Sequence, residues 1–87
     1  MFGFGKKADG NTIRAAIKKF GTAVRGDDGS EGTVLCVGSD TARKKFGKPD
    51  AIEKKMAKVG IQVAVKDIKD KESGKKLTCV ICETKKL

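Results

Sequence analysis

The chain reads as a small two-layer α+β domain, in the order α-β-α-β-β. Its sheet is expected to be three-stranded and mixed, with the last strand central, a split β-α-β arrangement. Three observations predict this. Apolar residues recur at helical spacing from Ile13 to Phe20. Short apolar or alternating runs stand at "TVLCVG", "IQVAVKDI" and "LTCVICET". A basic stretch long enough to cross between parallel strands separates the first two of these runs.

Taken in order, "MFGFGKKADG" predicts a flexible tail over residues 1–10, leaving residues 11–87 as a single domain. Asn11 or Thr12 is the expected cap of the first helix, whose apolar positions Ile13, Ala16, Ile17, Phe20 and Val24 form one stripe. Gly21 weakens the end of that helix, so the segment 22–26 is either its last turn or an extra strand pairing across the loop "GDDGSEG". "TVLCVG" is a short apolar strand, with Ser39 and Asp40 as cap candidates for a basic helical segment. That segment, "DTARKKFGKPDAIEKKMAKVG", is broken at Gly47-Lys48-Pro49, where Pro49 suits the first position of a second helix and Gly60 its stop. Phe46, Ile52, Met56 and Val59 supply its inner face.

"IQVAVKDI" alternates apolar and polar residues, and "KDKESGKK" turns the chain back into "LTCVICET". The first two strands are joined through helix and so run parallel by a right-handed crossover, while the last two form a hairpin. Leu77, Cys79 and Ile81 on one face and Val80 and Cys82 on the other make the last strand apolar on both sides. That is the pattern of a central strand.

The composition limits the function. A chain of 87 residues buries roughly 60–65% of its unfolded surface, enough for one modest core. No signal-peptide core or membrane-length apolar run is present, and a cytoplasmic setting is expected. The formal net charge is +9, from 20 Lys+Arg against 11 Asp+Glu and no His. That balance favours phosphate-rich or acidic partners. Lysine makes up 17 of the 20 cations, which suits point-charge attraction better than the bidentate base reading done by arginine.

Three cysteines, Cys36, Cys79 and Cys82, are an odd number without a secretory address and are read as reduced, buried thiols. Cys79 and Cys82 have C-x-x-C spacing, but residues three apart on a strand point to opposite faces. They therefore cannot share a metal or form a disulfide with each other. Zinc would need two more ligands where only Cys36 remains, so neither metal nor cofactor is expected. "GDDG" from Gly26 to Gly29 has the G-x-x-G form of a nucleic-acid clamp, yet its aspartates repel phosphate and it reads as a turn. "VGSDTARK" reads as helix capping, because Asp40 stands where a phosphate would go. "AIKKFG" and "ARKKFG" repeat as two similar amphipathic helix ends.

No nucleophile stands beside a recognisable base, and the chain is read as non-enzymatic. The candidate site is the basic segment 41–58. Arg43, Lys44, Lys45, Lys48, Lys54, Lys55 and Lys58 stand there against Asp50 and Glu53, a net of +5. With only four aromatics in the chain, base stacking contributes little. The expected function is an accessory role, with weak, non-specific nucleic-acid association through this lysine face. The alternative is a protein-interaction or regulatory module that meets an acidic or other protein through an open sheet face, an edge strand or the Phe2/Phe4 tail.

Overall fold

The computed structural model describes residues 7–87, and Asp9 caps the first helix. The Thr12 N–H donates to Asp9 Oδ1 at 2.9 Å, so α1 (Gly10–Phe20) begins ahead of the expected Asn11 or Thr12 cap. The carboxylate satisfies one of the donors a helix start leaves open. Of the expected tail, residues 1–6 lie outside the described residues, whereas the Ala8 N–H already donates to Lys45 O at 2.7 Å. Gly10 is buried, and a Cβ there would collide with the Lys55 carbonyl. The missing side chain lets the start of α1 lie directly on the second crossover helix.

Ile13 and Ile17 are fully buried, but Phe20 is 67% exposed and the stripe ends before it. The helix stops there because Gly21 takes extended backbone and the chain enters β1 (Thr22–Arg25). Of the two readings of residues 22–26, strand is the observed one. β1 pairs antiparallel with β2 (Glu31–Gly38), with Val24 opposite Gly32. "GDDG" is the turn between them, closed by a Gly29 N–H bond to Gly26 O at 3.0 Å, with Gly29 at φ +85°.

The crossover consists of α2 (Ser39–Lys45) and α3 (Pro49–Lys58), separated by the Gly47 turn at φ +113°, with Pro49 opening α3. Ser39 and Asp40 do not cap α2. Gly38 holds the cap position, and Ser39 Oγ instead bonds Thr78 Oγ1 at 3.0 Å. After Gly60, Ile61 is still part of the turn, its N–H on Met56 O and its side chain in the core, so β3 starts two residues later than expected (Val63–Lys69). β4 (Lys76–Glu83) returns as a hairpin partner and runs into a 3₁₀ turn at Thr84–Lys86.

The sheet has four strands in the order β1-β2-β4-β3, and every neighbouring pair is antiparallel. This corrects the expected three-stranded mixed sheet. β1 adds a strand, and β4 separates β2 from β3, so these two point the same way without forming a parallel pair. The last strand has a neighbour on each side, as its two apolar faces predict.

All three helices lie on one face: α1 against β2 and α3, α2 against β2 and β4, α3 against β3. The core between the layers joins Ile13, Ile17, Phe46, Ile52 and Met56 of the helices to Leu35, Val80 and Cys82 of the sheet. Each fully buried Ile or Met side chain contributes about 1.5–3 kcal/mol.

The other face carries no helix among the described residues. Strand alternation and register place Val34, Cys36, Ala64, Lys66, Leu77 and Ile81 on it, with Val24 and Ile68 at 44% and 46% exposure. Here the cysteine expectation is corrected. Cys36 and Cys79 stand directly opposite each other with Cα atoms 4.1 Å apart and are joined in a disulfide. Cys82 points the other way, into the core, where burial pushes its thiol pKa up. The two halves of the C-x-x-C thus face opposite sides of the sheet.

Candidate nucleic-acid interface

Helix α2 ends on a run of cations because its inner positions are Ala42 and Phe46, leaving Arg43, Lys44 and Lys45 for solvent. Positive side chains in the last turn also offset the partial negative charge of the helix end. The same applies to α3, where Ile52 and Met56 are buried and Lys54 and Lys58 lie one turn apart on the exposed side. Lys48 precedes α3 and is exposed. Lys44, Lys45, Lys48, Lys54 and Lys58 are therefore all exposed, and none belongs to an ion pair among the described residues.

The other two predicted site residues have structural partners. The Arg43 guanidinium lies 3.0 Å from Asp67 Oδ2 and ties α2 to β3. Lys55 is only half exposed, and its Nζ donates to Phe46 O at 2.7 Å and Ala8 O at 2.9 Å. It bridges the end of α2 and the approach to α1, so its charge is spent on backbone carbonyls.

Arg43 belongs to a short polar chain. Ser39 Oγ meets Thr78 Oγ1 at 3.0 Å, and Thr78 Oγ1 donates to Asp67 Oδ1 at 2.6 Å. The Thr78 hydroxyl first, and Arg43 second, hold the Asp67 carboxyl below the usual aspartate range. A carboxylate held in that way is a weak general base. Among the described residues no group of three or more His, Cys, Asp and Glu is placed to hold a metal ion. No helix among them is long and apolar enough to cross a membrane.

Lys18 and Lys19 of α1 were missed as candidates. Both are exposed, and α1 packs on α3, so they extend the basic character of the helical layer. The signal was the "KKF" shared by the two helix ends. The ends differ in their phenylalanines, since Phe46 is buried whereas Phe20 is exposed with Lys19 Nζ 5.3 Å above its ring. No family model matches the chain, and comparison with curated proteins and with solved structures returned no match.

Proposed function

We propose that this chain is a small, basic, non-enzymatic accessory protein that associates weakly and without sequence preference with nucleic acid, in a cytoplasmic setting. The observation that carries the reading is the set of five exposed lysines, Lys44, Lys45, Lys48, Lys54 and Lys58, along one crossover segment and outside any ion pair among the described residues. Ammonium groups of this kind meet backbone phosphates as point charges and read no bases. Arg43 adds to the local field from its pair with Asp67, and Lys55 holds the helices that present the others.

A titration of duplex and single-stranded DNA across salt concentrations tests this. Dissociation constants on the order of 10⁻⁴ to 10⁻⁶ M are expected near physiological salt, and each phosphate contact contributes about −0.9 to the log–log salt slope on duplex. Reversal of Lys44, Lys45, Lys54 and Lys58 to Glu should flatten that slope while the fold persists. Absence of binding at low salt, or an unchanged slope in the reversed variant, overturns the reading.

A further inference from the structure

We propose that the open face of the sheet docks a second copy of this chain, face to face, about a two-fold axis crossing the strands at Val34, Ile81 and Ala64. The charge pattern comes first. Of the side chains that the register places on this face, only Lys66 and Glu83 are charged, one of each sign, in a chain of which 36% of residues are charged. The remainder is mostly apolar, and Val24 and Ile68 are the exposed large hydrophobics of its strands.

The register then makes the face complementary to itself. Val34, Ile81 and Ala64 stand side by side in one row. Two residues to one side lies the row of Cys36, Cys79 and Lys66, and two residues to the other side lie Gly32 and Glu83. A two-fold axis along the middle row exchanges the outer rows. The exposed Cys36 end of the disulfide is thereby laid over Gly32 of the second copy, at a groove bordered by Val24, Ile81, Ala64 and Glu83 and lined also by Asp28 and Glu31. The same operation brings Lys66 to Glu83 of the second copy, offset by one strand spacing of about 4.8 Å, which two long side chains span. Glu83 already has a partner in Lys85, 3.6 Å away, but both side chains are largely exposed, and so exposed a pair is weak enough for Lys66 to compete with it. An interface in which one patch meets itself is the isologous kind that closes at two copies.

About this axis the strand residues that overlie their counterparts are 31–37, 63–65 and 79–83, a plan area of roughly 250 Å². That is well below the roughly 800 Å² per partner of a standard interface, so a weak, transient dimer is expected. An acidic protein would meet Glu83, Asp28 and Glu31 around the groove as well as Lys66 and Lys85. The lysines of the helical layer lie on the other side of the sheet, so this surface is independent of the proposed nucleic-acid interface.

Sedimentation equilibrium of the full chain over a concentration series tests the proposal, with Lys66→Glu, Glu83→Lys and the double exchange compared. Each single reversal should weaken the dimer about tenfold by setting like charges together, and the double exchange should restore it. A dimer indifferent to these changes overturns the proposal. So does a chain that stays monomeric at every concentration. In that event, a Phe2→Ser/Phe4→Ser variant that dimerises would assign the face to the chain's own N-terminal segment, and one that stays monomeric would leave it to a partner of another kind. DNA binding is read separately, so either result stands without the other.

Discussion

Lys55 donates from Nζ to the Phe46 carbonyl at 2.7 Å, which joins the middle of α3 to the end of α2. Its neighbour Lys54 is exposed and makes no such bond. Lys55→Met should therefore destabilise the fold by about 1–3 kcal/mol, because it leaves the Phe46 and Ala8 carbonyls without their donor. Lys54→Met should stay within about 0.5 kcal/mol of the parent. Urea unfolding of the two variants checks this, and equal midpoints would contradict the assigned role of Lys55.

Asp67 should give stability a dependence on acid. Its folded pKa lies below the unfolded value, so its contribution is present above the unfolded carboxylate range and is lost as pH falls through the folded pKa. Asp67→Asn is expected to lower stability at neutral pH, and the gap to the parent should close as pH drops below about 4. Asp9, Asp28 and Asp70 are lowered as well, each by its own hydrogen bonds, so the measurement is the difference between parent and variant at each pH. A gap that does not change with pH would show that the Thr78 and Arg43 contacts do not act through the ionised carboxylate.

The thiol count is a third test. Protein kept from reductants should show one thiol after unfolding, Cys82, and three after reduction. Since the disulfide spans 43 residues of chain, removing it by a Cys36→Ala/Cys79→Ala double substitution should cost about 2–4 kcal/mol. In a reducing compartment the same pair would stand as two facing thiols. Three thiols in unreduced protein would rule the disulfide out while leaving the strand register untouched.

What the sequence conveyed was whatever depends on local period. Ile13 and Ile17 marked a helix face, and the doubly apolar "LTCVICE" marked the central strand. β1 was legible only as one of two readings, because four residues hold too little periodicity to separate strand from helix end, and its pairing with β2 decides the matter. Phe20 was placed inside by its spacing, but whether a last turn reaches the core depends on where the helix lies over the sheet. The site divides in the same way. The helical period sets Lys54 opposite the buried Ile52 and Met56 and Lys55 at their flank, but it does not show which carbonyls Lys55 reaches. Arg43 and Asp67 are 24 residues apart, and the Cys36–Cys79 pair 43, so both awaited the tertiary register.

The central position of β4 also sets an order in time. During synthesis β2 and then β3 emerge first, yet neither can pair with the other, because the strand that lies between them has not been made. Until residues 76–83 are available the nascent chain has only the β1–β2 hairpin and its helices, and an isolated hairpin is marginal in water. The last strand then closes two ladders at once, one of them to residues 39 to 51 positions earlier. Ladders that join distant parts of a chain form slowly. Assembly of this domain is thus postponed until its final strand has been translated, and its apolar helix faces remain uncovered for as long as that takes.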